Sequence, residues 1–213
     1  MPQLTVAGRT VKDPMGVFEH YAQRYGKTLA KYDFSTQADL CSIALPDVAV
    51  TRVIASRISG AQAQQIVKRA AESRHLLQAI PVEARLQDAD PARNDGLYDA
   101  MTALHESLQG PGIKDSKVSK ILHLKRPSLY PILDSALSKF YRQAARAAAT
   151  RYPERGFRIM AWAAIRDDLL ANQQSLQELR PALAARDVLR AHRVHELSDL
   201  RLLDILAWKA QHG

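Results

Sequence analysis

The feature that most limits how this chain can fold is an apolar spacing of three and four residues, restarted repeatedly by a cap or a proline. Val17, Phe18, Tyr21, Ala22 and Tyr25 follow Asp13-Pro14, and Ile66, Val67, Ala70, Leu76 and Leu77 follow Ser59. Leu97, Met101, Leu104 and Leu108 repeat the pattern, and Leu200, Leu203, Leu206 and Ala207 repeat it again behind Ser198. Such stripes make one-sided helices that must cover one another. Strand-like alternation is confined to "LTVAGRTV", around Gly8. The pattern predicts a mainly α-helical bundle with a small irregular or β N-terminus. At 213 residues and 46% apolar content the chain can bury a core. No fixed-period repeat or linker-like run interrupts it, so residues 1–213 read as one compact unit.

Local signals place the boundaries. Asp13-Pro14 starts the first helix and Gly26 stops it. "STQADLCSIAL" offers a short helix capped by Ser35 or Thr36 and ending before Pro46. "VAVTRVIASRI" stays open between strand and helix. Ser59 caps a helix to about Ala79, Asp90-Pro91 repeats the cap-plus-proline device, and the stripe from Leu97 ends at Gly110. Pro153 divides two Ala-rich helical runs, and helices over about 175–190 and 198–211 close the chain.

Several function classes drop out. No apolar run approaches the roughly 18 residues of a bilayer span, and the N-terminus lacks a signal pattern, so the expectation is a cytoplasmic protein with no membrane partner. The single cysteine, Cys41, excludes an internal disulfide, a CxxC zinc site and a four-cysteine cluster, and reads as a buried small hydrophobe. His192 and His195 beside Glu196 lack a third metal ligand at known spacing and read as surface histidines, so no metal is expected. Phosphate-loop, dinucleotide, zinc-protease and nucleophile-elbow motifs are missing, so no cofactor is expected either.

Charge is the positive signal. The net charge is +8, and residues 110–158 hold eleven Lys or Arg against Asp115, Asp134 and Glu154, which is +8 within that stretch alone. Concentrated positive charge beside neutral bulk suits a polyanion, most often nucleic acid. A solvated basic helix face is the alternative.

Within "GPGIKDSKVSKILHLKRPSLYPILDS", residues 110–135, a glycine-rich turn joins the helix ending near 109 to one starting near Asp115. Glycine permits positive φ and a close backbone approach, and a helix N-terminus gathers N–H groups suited to a phosphate. Lys114, Lys117 and Lys120 surround that spot, with Lys125 and Arg126 further on. Contacts of this kind position a duplex without reading its sequence. The second helix buries Val118, Ile121 and Leu122. An elbow at Pro127 and Pro131 then leads to Asp134, at the cap of the next helix.

The turn, the spacing and "YPILD" together resemble the motif of the helix–hairpin–helix DNA glycosylase superfamily, nearest to its mismatch adenine glycosylase branch. The resemblance covers roughly residues 97–142, a fifth of the chain. It implies a helix–hairpin–helix glycosylase-like bundle and a monomer acting on double-stranded DNA. It sets Gly110, Gly112 and Ile113, with the five cations, as DNA contacts and Asp134 as the catalytic acid. Ser116, 18 residues before Asp134, stands where lyase-type members carry their lysine. Lys120 lies one turn beyond Ser116 on the same face and is a second candidate amine or a phosphate contact. Lys114 stands in place of the second hairpin glycine, Ser135-Ala136 follow Asp134 in place of the usual continuation, and the cysteine-ligated cluster of many members has no counterpart. The whole chain is also similar to a family of uncharacterised bacterial proteins, through "YDFSTQADL", "SKILHLKRPSLYPILDS" and "LRLLDILAWK".

The chemistry implied is hydrolysis of an N-glycosidic bond, as in base excision repair. Positive charge developing at the sugar C1′ is stabilised by a carboxylate, after the target base has been flipped out. Ser116 in place of the lyase amine implies a monofunctional enzyme. Tyr130, Phe157, Trp162 and Trp208 are candidates to stack on or wedge beside a base, with core positions the alternative, and Glu19 is a candidate acid. A non-catalytic helix–hairpin–helix DNA-binding protein, as a repair or defence accessory, is the competing reading. A helical domain whose basic face meets an acidic protein is a third.

Overall fold

The chain begins with a two-strand antiparallel hairpin, β1 (Leu4–Val6) and β2 (Arg9–Val11), in which Leu4 pairs with Val11 and Val6 with Arg9. Ala7 and Gly8 both have positive φ, 48° and 76°, as a two-residue hairpin loop requires to match strand twist. The rest is helical: α1 (Pro14–Thr28), α2 (Leu45–Val50), α3 (Gly60–Glu72), α4 (Arg74–Ala79), α5 (Leu97–Ser107) and α6 (Asp115–Lys125). Then come α7 (Ser135–Phe140), α8 (Arg142–Arg151), α9 (Met160–Ala171), α10 (Gln173–Ala185), α11 (Asp187–Ala191) and α12 (Asp199–Ala210). This computed structural model describes residues 3–36 and 39–211. The expected mainly α fold with a small β N-terminus is what the chain forms.

Capping explains the clean helix starts. Asp13 Oδ1 accepts the Gly16 N–H at 3.0 Å, Ser198 Oγ accepts that of Arg201 at 3.1 Å, and Ser59 and Gln62 form a reciprocal capping box. Three expected boundaries differ. Gly26 does not stop α1, which runs on into a π-helical turn at Leu29–Asp33. A Cβ on Gly26 would lie 2.3 Å from the His192 ring, so this glycine serves helix packing. The run "STQADLCSIAL" forms no helix of its own over its described residues (residues 37–38 fall outside them); its last residue, Leu45, starts α2, with Pro46 in the first turn. Asp90-Pro91 makes a turn, with α5 starting only at Leu97. The open stretch after Pro46 resolves as α2 followed by a 3-10 turn, Thr51–Ile54.

The sequence shows no break, yet the contacts cluster into two compact units. One joins the residues up to Ala30 with those from Ser135 onward; the other is Lys31–Asp134. The first is discontinuous, so no linker composition marks it, and the boundary falls inside the 97–142 segment. In the discontinuous unit α8 packs on α9 and α1 on α11 and α12, around Phe18, Tyr141, Trp162, Leu200 and Leu203. The hairpin is fastened there by polar contacts: Ala7 N–H and Tyr141 Oη both donate to Asp168, and Asn172 bonds the Thr5 N–H and C=O. Burial, more than any other influence, pushes the Asp168 carboxyl up and the Tyr141 phenol well up. In the Lys31–Asp134 unit α5 packs on α4 and α6, around Tyr98, Met101, Ile113, Ile121 and Leu122.

Candidate nucleic-acid interface

The segment singled out by charge and spacing starts where α5 ends. Gly110 and Ile113 close a tight turn, each N–H donating to the other's C=O at 3.0 Å. Pro111 and Gly112 fill its two central positions, and Gly112 takes the φ of +68° that a Pro-Gly turn requires. Two packed helices joined by a hairpin therefore form here.

The hairpin's polar groups are engaged from within the unit. Lys117 Nζ donates to Gly112 O at 2.8 Å and to Gln62 Oε1 at 2.7 Å, and Gln62 Nε2 donates to the same carbonyl at 3.3 Å. A Cβ on Gly110 would lie 3.1 Å from Gln65 Nε2 and 3.2 Å from the Arg69 guanidinium. The α3 side chains Gln62, Gln65 and Arg69 thus close over the turn. Asp115, in the first turn of α6, accepts Gln109 Nε2 at 2.8 Å and sits 3.8 Å from His105 Nε2. Its carboxylate occupies the positive end of the helix that a phosphate would seek. Of the expected phosphate contacts around the turn, Gly110 and Ile113 direct their amides at each other and Lys117 points back at the hairpin. Gly112 and Lys114 remain exposed.

Lys125 and Arg126 are corrected outright. Each is 1% exposed. Lys125 Nζ donates to Asp47 Oδ2 at 2.8 Å and to Asp39 O at 2.9 Å. Arg126 makes five hydrogen bonds, to the carbonyls of Ile80, Leu77, Leu40 and Lys125. Neither side chain reaches a phosphate. Both are cations whose burial is made tolerable by these bonds: all five N–H groups of Arg126 are engaged, and the Lys125 ammonium has a carboxylate partner.

Lys120 is likewise no phosphate contact: it is 8% exposed and donates to Ile54 O at 2.9 Å. Desolvation pulls its ammonium below the ordinary lysine range, and the charge of Asp134 partly restores it. Asp134 itself is half-buried at the end of the elbow. Ser119, buried one residue before Lys120, accepts the Leu133 N–H at 3.3 Å and donates to Leu133 O at 3.2 Å. That pair pins the residue preceding Asp134 onto α6. Ser116 lies half-exposed in the first turn of α6. Ser119 was not among the candidates, since nothing in the local sequence tells a serine that bridges to an elbow from one facing water.

The aromatic candidates separate cleanly. Tyr130 is buried, its hydroxyl on Met101 O at 2.9 Å, and Trp162 is buried. Trp208 packs edge-on against Tyr21 and Tyr25. Phe157 is 49% exposed. Glu19 pairs with Arg186 at 3.6 Å. Among the described residues no group of three or more His, Cys, Asp or Glu is placed to hold a metal. Cys41 is half-exposed, contrary to the buried position expected, and its N–H is held by Asp39 at 2.7 Å. A cleft of about 250 Å³ lined by Leu45, Val48, Ile58 and Ala63, together with Arg52 and Gln64, is mainly apolar and gathers no cluster of acid, base or nucleophile. No described helix is long and apolar enough to cross a membrane.

The fold and this segment together define a mainly helical protein with a basic helix–turn–helix stretch that leads through an elbow to Asp134. The chain belongs to a family of unknown function, DUF6308, whose model matches residues 10–211. No curated protein and no solved structure shows a match to it.

Proposed function

We propose that the protein binds double-stranded DNA and, as a monofunctional DNA glycosylase, hydrolyses the N-glycosidic bond of a flipped damaged or modified base. The observation that carries this reading is the setting of Asp134: half-buried, adjacent to a backbone pinned by Ser119, and within electrostatic reach of the buried ammonium of Lys120. A carboxylate fixed in this way needs no reorganisation as positive charge develops at C1′, and it orients an attacking water. Flipping the base costs a few kcal/mol, which the protein's grip on the flanking phosphates offsets. With a serine at position 116, the reaction ends at an abasic site.

A specific observation favours the second reading, a non-catalytic DNA-binding protein. The charge of Asp134 also has a structural use, in supporting the buried Lys120 ammonium, and most of the hairpin's donors are engaged internally. Oligonucleotide duplexes carrying a panel of damaged and modified bases, probed by alkaline cleavage, separate the two. Glycosylase action gives alkali-labile sites with the wild type, and Asp134→Asn lowers their rate at least about a hundredfold while keeping duplex affinity. If no substrate in the panel is cleaved, or if Asp134→Asn cleaves as fast as wild type, the enzymatic reading falls.

A further inference from the structure

Most of the charge that points to nucleic acid lies outside the hairpin. Residues 135–158 hold Lys139, Arg142, Arg146, Arg151, Arg155 and Arg158 against Glu154 alone. All of them belong to the discontinuous unit. The two helices that carry this stretch bury one stripe: Leu137, Tyr141, Ala145 and Ala148. Tyr141 N donates to Leu137 O and Ala145 N to Tyr141 O, so α7 and α8 join with helical bonding across the junction. Lys139, Arg142 and Arg146 follow at three- and four-residue steps away from that stripe, and all three are exposed. None has an acidic partner among the described residues, in contrast to Arg151, which is paired with Asp167. Arg9 of β2 adds a fourth exposed cation, its guanidinium 5.1 Å from the Phe140 ring centroid.

Beyond the end of α8 the chain passes through a 3-10 turn, Pro153–Arg155, and then Gly156, whose φ is +69° and around which no atom would crowd a Cβ. Phe157 follows, 49% exposed, between Arg155 and Arg158. A large aromatic ring left half in water on an open, glycine-preceded loop keeps much of its apolar surface uncovered. It does suit a flat π-surface that arrives together with negative charge. Bases on a phosphate chain have that chemistry.

We infer that the α7–α8 ridge of Lys139, Arg142 and Arg146, with the Phe157 loop, is a nucleic-acid-binding surface that takes single-stranded nucleic acid. The ridge follows the phosphates and Phe157 stacks on an unpaired base. The inference stands on the discontinuous unit alone and holds whether or not Asp134 is catalytic.

The test uses the full chain and fluorescence anisotropy with a labelled 20-nucleotide single strand and the matching duplex, between 50 and 200 mM salt. Lys139→Gln/Arg142→Gln/Arg146→Gln lowers single-strand affinity and reduces the slope of log K against log salt by about 2, three contacts at roughly 0.7 each. Phe157→Ala weakens single-strand binding about tenfold at unchanged slope and affects the duplex less. The single variant Arg146→Gln, a slope change of about 0.7, repeats the measurement at minimal structural risk. Unchanged affinity and slope in the ridge variants overturn the inference, as does equal loss for duplex and single strand in Phe157→Ala. Polyglutamate that displaces the strand as well as an unlabelled oligonucleotide of equal charge does so too, because the surface then reads charge alone and fits an acidic protein. Loss of base release in Asp134→Asn leaves this result untouched, so the two proposals fail separately.

Discussion

Two neighbouring stretches carry similar numbers of cations and use them in opposite ways. Between residues 110 and 134 Lys117, Lys120, Lys125 and Arg126 all donate to carbonyls or a carboxylate within their own unit, and Lys114 alone is exposed. Between residues 135 and 158 Lys139, Arg142 and Arg146 stand in water. The difference lies in what surrounds each stretch. α6 runs beside the ends of short helices, where the last carbonyls have no intrahelical partner. Leu77 and Ile80 close α4 and Ile54 closes a 3-10 turn, and the Arg126 and Lys120 side chains bond these carbonyls. α8 lies on the longer α9, and its cations meet no such ends. A count of basic residues therefore locates a binding surface only after helix ends have taken their share.

The largest effect that would break this contrast is at Arg126. Arg126→Met leaves four buried carbonyls short of donors and should cost about 3–5 kcal/mol, measured as a shift in urea midpoint, with DNA affinity of the folded fraction unchanged. Unchanged stability with lost affinity would return Arg126 to the DNA surface. Lys125→Met comes next, at about 2–4 kcal/mol, because Asp47 stays buried with its ammonium partner gone and the Ala44 N–H still donating to it. Adding Asp47→Asn should recover part of that loss; a strictly additive double variant would deny the ion pair. Lys117→Gln is smaller, about 1 kcal/mol, since Gln62 still donates to Gly112 O. Its salt slope for duplex binding should match wild type. A slope lowered by about 0.9 would mean that Lys117 faces a phosphate after all.

What was legible in the sequence is what is decided locally. Asp13, Ser59 and Ser198 cap their helices because the cap oxygen and its amide lie three residues apart, within any reading window. The Gly8 hairpin and the turn at Pro111-Gly112 follow from φ preferences alone. Gly26 misleads because its packing partner, His192, lies far along the chain, and Pro46 misleads because proline both ends and begins helices. The candidate site divides in the same way. The order of turn, helix, elbow and Asp134 is readable, whereas the burial of Lys120, Lys125 and Arg126 depends on carbonyls at Ile54, Asp39, Leu40, Leu77 and Ile80, which no spacing rule connects to α6.

The smallest effect falls on Lys120 and is read as a slope. Its ammonium is held below the ordinary lysine value by desolvation, with Asp134 opposing the shift. Between that lowered value and 10.5 the folded chain has released the proton while the unfolded chain retains it, so rising pH favours folding. The penalty is present in full below the lowered value and vanishes above the unfolded one. Stability should therefore rise toward alkaline pH by more in wild type than in Lys120→Met, which has no proton to lose there. Asp134→Asn removes the charge that supports the ammonium, so its rise should begin at lower pH than in wild type. Urea midpoints for the three proteins at a series of pH values below 10.5 make the comparison. Three coincident profiles would mean that Lys120 and Asp134 do not share one electrostatic environment, and the setting that carries the glycosylase reading would be lost with it.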